Sequence, residues 1–540
     1  MQTLYYNGTI LTMEEGTPQP EALLVGEDGR IQALGSRSSL ADLVNPDCRR
    51  VDLGGRTLLL GFIDGHSHFT SYANTLGLAD LSGAGSVGEI LRRLEDFAKE
   101  QDLAPGDWLV GFGYDHNLLA GGEHPTRQDL DRVAGEHPVM VTHASGHMGA
   151  VNTRALALAG ITASTQAPQG GVIGREAGGA PNGYLEEAAF MAVGRQVPPP
   201  SPQRVLALLD QAQDIYLRHG ITTVQEGLTG QGELALLRQM AQAGRLRVDV
   251  AAYVDLDKAP NLAQENPAYL MGYRQGLKIG GYKIFLDGSP QGRTAWLTQP
   301  YEGAEDGYRG YPIHTDERVA ELVRTAFSQG RQLLCHCNGD AAAEQFITAV
   351  EAVRREGFQK ADLRPVMIHA QTVRVDQLDR MRAAGILPSY FVAHTYYWGD
   401  VHLQNLGRRA ETISPLRSTV RRGMPFTLHQ DSPVLPPDMI DTLWCAVNRR
   451  TRAGALLSQE EAVTPYQALL GITAYGAYQY FEEGEKGTLQ TGKRADLVIL
   501  SQNPLTTPPP MPCAGSGFWK PLRTVKPYIK GSEGPKQPII

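Results

Sequence analysis

From residue 200 onward one local pattern recurs: an amphipathic helix, a glycine, then a short β-rich apolar run. It reads RHG–ITTVQE at Gly220, QAG–RLRVDVAAYV at Gly244 and SQG–RQLLCHC at Gly330. It returns as AAG–ILPSYFV at Gly385 and RRG–MPFTLHQ at Gly423. Glycine just past a helix end takes the left-handed conformation that closes the last carbonyls. The run after it has strand length and strand composition. Helices alternating with buried strands imply parallel βαβ units, which leave few folds open. The helix before Gly330 is predicted with Thr315 as cap, Asp316 and Glu317 at its positive end, and a face of Val319, Leu322, Val323, Ala326 and Phe327.

Candidate strands number eight: TLLLGFID (58–65), ITTVQE, LRVDVAAYV, YKIFLD, QLLCHC, RPVMIH, LPSYFV and PFTLHQ. Eight strands predict an α/β fold, a (β/α)8 TIM-like barrel over 58–484. About 150 residues separate the first two strands, too many for a plain βα unit. Residues 70–200 are therefore read as an insertion within the barrel, with strands around Trp108–Phe112 and Val139–His143. Its Gly-rich part, 170–183, reads as a mobile surface segment, and the insertion as a lid that selects the substrate. Residues 1–57 and 485–540 both offer short strands and turns, and neither can bury a core alone. They are read as one small β-sandwich domain from both termini, with the Pro-rich run 508–512 as a loop in it.

The formal net charge of −8 gives no basic face, so nucleic acid is excluded as the main partner. No apolar run reaches the ~18 residues of a membrane span. MQTLYYNGTI lacks a basic start followed by an apolar stretch, so no secretory signal is read. Five cysteines without disulfide-like spacing point to reduced thiols and a cytoplasmic protein.

His66 and His68, in GFIDGHSHF, directly follow the first strand, and strand neighbours two apart share a face, so both can reach one metal. Alone they could equally be two solvated loop histidines. His336, His369 and Asp431 lie at or just past other strand ends, where barrel active sites are built, and together they favour a metal site. Lys283, inside a predicted strand, must snorkel, pair (Asp287 is near in sequence) or react with CO₂ to give an anionic carbamate ligand. Cys335 and Cys337 alternate with His336, so they are expected to pack as small hydrophobes facing the helix layer. His147, His394 and Arg293 are candidate donors to an oxyanion, or else surface loop residues. His143 and His147 are not read as a second metal pair. Tyr114 and Trp398 sit beside polar groups after strands, which suits a pocket wall as well as core.

The order His-x-His, Lys, His, His, Asp along a barrel resembles the amidohydrolase superfamily. YKIFLDGSPQGRTAWL, CHCNGDAA, VMIHAQTV and HQDSPV are similar to its YtcJ-like branch, which includes N-substituted formamide deformylases. ASGHMGAVNTRAL and NGYLEEAA resemble that branch's insertion, so the likeness spans nearly the whole chain. The resemblance implies His66, His68, His336 and His369 as metal ligands and carbamylated Lys283 as a bridge. It makes Asp431 both ligand and proton shuttle. The implied cofactor is one or two divalent ions, usually zinc, and the implied assembly a homodimer. The expected reaction on a small-molecule substrate is hydrolysis of a linear non-peptide C–N bond by metal-activated hydroxide, with Asp431 and, from its place after the seventh strand, His394 catalytic. Tyr114, His147, Arg293 and Trp398 are expected from their positions to bind substrate. Hydrolysis of cyclic amides, esters or lactones uses the same ligands and stays open; a non-catalytic scaffold is the more distant alternative. Two departures stand out: His336-Cys337-Asn338-Gly339-Asp340 where the branch often has His-Ala-x-Gly-Asp, and His429-Gln430 before Asp431 where it often has Gly-Ser.

Overall fold

The computed structural model describes residues 1–16, 19–168, 170–270, 272–358 and 362–506. Eight parallel strands follow one another in a single sheet: β1 (Phe62–Ile63), β2 (Ile221–Thr229), β3 (Asp249–Asp255), β4 (Leu277–Phe285), β5 (Gln332–Cys337), β6 (Val366–His369), β7 (Leu387–Tyr390) and β8 (Thr427–Leu428). Their spatial order is their chain order. Gly65 N–H donates to the Leu428 carbonyl at 3.4 Å, which brings the end of β1 onto β8 and closes the barrel. A Cβ at Gly65 would meet Thr427 Oγ1 at 2.8 Å, so glycine permits the close approach.

The connecting helices follow from the repeated pattern. Thr315 caps the helix Asp316–Ser328 by accepting from Arg318 N–H, and Val319, Leu322, Val323, Ala326 and Phe327 are its buried face. Gly220, Gly244, Gly330, Gly385 and Gly423 are all left-handed. The first strand differs from expectation. The run 58–65 is not one strand, because it divides at Gly61, where a Cβ would collide with the Thr222 side chain at 2.5 Å. Thr57–Leu60 before the break joins a three-stranded sheet with Thr9–Ile10 and Leu497–Leu500. Only Phe62–Ile63 belongs to the barrel.

That three-stranded sheet and a four-stranded one (Ile31–Gly35, Ala22–Val25, Thr3–Tyr6, Arg49–Asp52) share one core. The core mixes Tyr5, Leu23, Ile31, Leu58 and Leu60 with Leu489, Leu497 and Ile499, so both chain ends build the sandwich. The Pro-rich run 508–512 and the rest of the sequence after residue 506 lie outside the described residues.

Residues 70–212 form a compact unit of their own. Its six-stranded sheet runs Gly171–Arg175, Pro181–Glu186, Met148–Val151, Val139–His143, Leu109–Tyr114, Ala79–Asp80. The segment 170–183 contains the strand Gly171–Arg175 and the start of its antiparallel partner Pro181–Glu186. Gly171, Gly174 and Gly183 mark tight packing, and a Cβ at Gly183 would meet the Val151 carbonyl at 2.6 Å, whereas Gly170, Gly178 and Gly179 have open space around them. Among the described residues no helix is long and apolar enough to cross a membrane.

Candidate metal centre

The ends of five barrel strands deliver ionisable side chains to one place. Asp431 Oδ1 lies 3.4 Å from His66 Nε2 and 3.5 Å from His68 Nε2, and its Oδ2 lies 3.9 Å from His369 Nε2. Lys283, fully buried, brings Nζ to 3.4 Å from His66 Nε2. The rings of His336 and His369 meet edge to face, 4.5 Å between centroids. The six residues of the expected ligand set are thus neighbours.

Local backbone is strained where the donors are aimed. His369, Ala370 and Asp431 have φ of +71°, +46° and +55°, a region that side chains other than glycine's rarely adopt. Such residues cost on the order of 1–3 kcal/mol each and persist only where neighbours over-determine them. Here Ala370 N–H donates to the Cys337 carbonyl, Asp431 N–H to the His66 carbonyl, and His68 N–H to the Ser432 carbonyl.

A divalent ion fits this donor set. Ligands about 2.0–2.1 Å from a tetrahedral ion stand about 3.3 Å from one another, close to the separations around Asp431. Asp431 Oδ1 is buried with no hydrogen-bond partner, which a cation would remedy. Burial drives His66 and His369 well below the ordinary histidine range, with nearby positive groups adding to it, so both rings are neutral and each keeps a lone pair that an ion could take. Burial also pushes the Lys283 ammonium down to about 8. Among the described residues Lys283 has no ion pair. Asp287, its conceivable partner, instead accepts from the backbone N–H groups of Trp296, Asn338 and Gly339 at 3.0, 2.9 and 2.6 Å. Cys335 and Cys337 are fully buried with their sulfurs 3.5 Å apart, and burial raises the Cys337 thiol, so it stays protonated.

Around this centre, His394 opens a short helix after β7, with Nδ1 3.0 Å from His402 Nε2. Its ring packs on Phe391 and Trp398 at 4.6 and 4.7 Å. Phe391 in turn contacts His369 and His429. Arg293 is turned to its own loop, donating to the Glu302 carbonyl at 3.1 Å and lying over Tyr301.

Tyr114 and His147 belong to the 70–212 unit. Tyr114 is buried with its hydroxyl 2.8 Å from His124 Nδ1, while His147 is exposed and 3.3 Å from Glu187. That unit holds a second cluster with similar spacing. His116 Nδ1 and His143 Nε2 are 3.3 Å apart, and Asp115 Oδ1 is 3.8 and 3.5 Å from them. Its donors are already engaged. Asp115 Oδ1 accepts from Asn117 N–H and Nδ2 at 2.9 Å each, and Ser145 N–H donates to His143 Nδ1 at 3.0 Å. A neutral His143 must then carry its proton on Nε2, which leaves no lone pair there for an ion.

Three residues that sequence reasoning did not single out complete the barrel centre. Gln225 Oε1 lies 2.5 Å from His66 Nδ1. His429 Nε2 lies 3.3 Å from His369 Nδ1, and its own Nδ1 is 2.8 Å from Ser389 Oγ. A Cβ at Gly227 would fall 2.6 Å from His66 Cε1. The signal for His429 was present, as the departure noted before Asp431.

Residues 49–512 match the amidohydrolase family as a whole. The chain belongs to that family. This amidohydrolase is 29% identical to YtcJ of Bacillus subtilis (strain 168), covering 94% of this chain and 96% of that one. It is also 29% identical to an N-substituted formamide deformylase of Arthrobacter pascens, covering 97% and 96%. An uncharacterized metal-dependent hydrolase from Pyrococcus furiosus superposes with a TM-score of 0.73 at 25% identity, over 94% of this chain and 100% of that one. With its cluster of ligands intact, this amidohydrolase is a metal-dependent hydrolase acting on carbon–nitrogen bonds other than peptide bonds.

Proposed function

We propose that this amidohydrolase cleaves a linear N-substituted amide or formamide, with Asp431 as proton shuttle. The observation that carries it is the buried Asp431 Oδ1, without a hydrogen-bond partner and within 3.5 Å of the ring nitrogens of His66 and His68. The likeness to a formamide deformylase over nearly both full chains supports the substrate class.

His66, His68, His336, His369 and Asp431, with Lys283 as a carbamate, would hold one or two zinc ions. When bound, such an ion polarises the carbonyl and lowers the pKa of water toward neutrality. Asp431 takes the proton of the attacking water and returns it to the departing nitrogen, so one carboxylate serves both halves of the reaction. His394 and Trp398, packed on Phe391, form an aromatic wall beside the centre that orients an apolar substituent. The reading carries with it a homodimer and a cytoplasmic location, the latter supported by four free cysteines among the described residues.

The test is a panel of N-substituted formamides, other linear amides, cyclic amides, esters and lactones offered to zinc-loaded enzyme and to Asp431→Asn. The expected result is highest kcat/KM on a linear amide or formamide, falling about 10²–10⁴-fold in the variant. Faster turnover of a lactone or ester than of every linear amide would overturn the substrate class. Full activity of Asp431→Asn would overturn the shuttle.

A further inference from the structure

Gln225 in β2 is fully buried, and both ends of its amide are held. Nε2 donates to the Gly65 carbonyl at 3.0 Å and to the Tyr480 hydroxyl at 2.9 Å. That hydroxyl gives its one proton to the Asp64 carbonyl at 2.7 Å, so toward Gln225 it can only accept. Both groups facing Nε2 are therefore acceptors, and the oxygen and nitrogen of the amide cannot be exchanged. Oε1 then faces His66 Nδ1, and an amide oxygen at 2.5 Å requires a proton on that nitrogen.

A neutral imidazole has one proton, so His66 keeps it on Nδ1 and leaves a lone pair on Nε2. That Nε2 is the nitrogen 3.4 Å from Asp431 Oδ1. The ring cannot swing away on the other side, because Gly227 packs against its Cε1–Nδ1 edge closely enough to exclude a methyl group. We propose that Gln225 is a positioning residue: it locks His66 in the Nδ1–H tautomer and so presents Nε2 to the divalent ion. The proposal rests on the reading that the barrel cluster holds that ion. Partners of this kind typically change metal affinity by about 10–100-fold when removed.

The experiment strips the full-length enzyme of metal and titrates it with Zn²⁺ against a competing chelator, alongside thermal unfolding of the metal-free forms. Gln225→Met fills a similar volume but offers His66 no strong acceptor, and its Zn²⁺ affinity is expected to fall 10–100-fold. Gln225→Glu should restore affinity to within about threefold, since a protonated carboxyl donates to Gly65 with one oxygen and accepts from His66 with the other. Tyr480→Phe removes a partner of Nε2 but not the acceptor on His66, so affinity should stay within about threefold even if the metal-free protein melts lower. A Gln225→Met protein that binds Zn²⁺ within twofold of wild type overturns the proposal, as does an equal loss in Gln225→Met and Tyr480→Phe, which would mark a packing role alone. His369→Asn separates the two levels: if it binds Zn²⁺ as tightly as wild type, the ion is not held by the barrel cluster and the underlying reading falls. Should Gln225→Met fail to fold, ¹⁵N-histidine spectra of metal-free wild type against His66→Asn decide the matter, since a His66 signal of the Nε2–H tautomer overturns the proposal.

Discussion

Gly227→Ala probes the metal centre from a residue with no side chain to contribute. A methyl group there would lie 2.6 Å from His66 Cε1, 2.9 Å from His66 Nδ1 and 2.9 Å from the Ser67 carbonyl. Ordinary contact begins near 3.4 Å, so the ring must retreat by about 0.8 Å. The backbone at Gly227 is not left-handed, so the contact is the whole of the perturbation. His66 is fully buried and bonded to Gln225, which leaves it no free space to retreat into. Overpacking of this kind costs about 1–3 kcal/mol. Metal–ligand distances tolerate about 0.2 Å, and the required shift is several times larger. Metal-free Gly227→Ala should lose about 1–3 kcal/mol in denaturant unfolding and bind Zn²⁺ at least about tenfold more weakly in chelator competition. Gly232→Ala is the matched control. It sits exposed in the helix Gln231–Gln242 with nothing within 4 Å of the added carbon, and should be neutral or stabilise by about 0.5–1 kcal/mol. Wild-type stability and metal affinity in Gly227→Ala would refute the steric account of how His66 is placed.

Metal analysis should find the content of His143→Asn unchanged and that of His369→Asn reduced, because the donors around Asp115 already hold hydrogen bonds. Equal losses in the two variants would contradict this. Glu482 is buried between the ammonium groups of Lys278 and Lys486, and Lys486 and Arg494 also meet Asp249. Glu482→Gln leaves that charge unbalanced and should cost about 3–5 kcal/mol in urea unfolding. Against a desolvation penalty, the two lysines hold the Glu482 carboxyl below its ordinary 4.5. The native state therefore favours the ionised form, and this contribution is present above about pH 4.5 and lost as the pH falls through the lower folded value. The variant should show a flatter stability profile in that acid window. Asp287→Asn puts an amide N–H against at least one of three backbone N–H donors and should cost about 1–3 kcal/mol. Its kcat/KM should fall as well, since Asp287 Oδ1 stands 3.3 Å from His336 Nδ1.

The barrel was legible because its signals are local and repeated. Thr315, the apolar face behind it and the glycine that ends each helix act within one or two turns of chain. The ligand set was legible because strand ends in a barrel converge, so residue type and position together suffice. Gln225 was not, since a glutamine inside ITTVQEG has no local meaning. Its role comes from His66, 159 positions away. Gly61 and Gly227 were missed for a related reason: each is small because of a side chain from a distant strand, Thr222 in one case and His66 in the other. In the segment 170–183 the strand pairing was not legible, because glycine reads locally as freedom, whereas Gly171, Gly174 and Gly183 sit where neighbouring segments leave no room.

The break at Gly61 also sets an order of events during synthesis. Residues 57–60 pair with Leu497–Leu500 and lead directly into β1 and the His66–His68 pair. Tyr480 and Gln479 bond the carbonyls of Asp64 and Gly65 between them. The four side chains of Leu497–Leu500 are buried, each contributing about 1.5–3 kcal/mol, together a sum comparable with the net stability of a typical domain. The segment that carries His66 and His68 is therefore fastened by residues made more than 400 positions later. A chain interrupted before residue 480 carries all of its proposed metal-binding side chains but lacks the Tyr480 and Leu497–Leu500 contacts that fasten the His66–His68 segment, so abandoned translation products should compete poorly with the finished enzyme for metal.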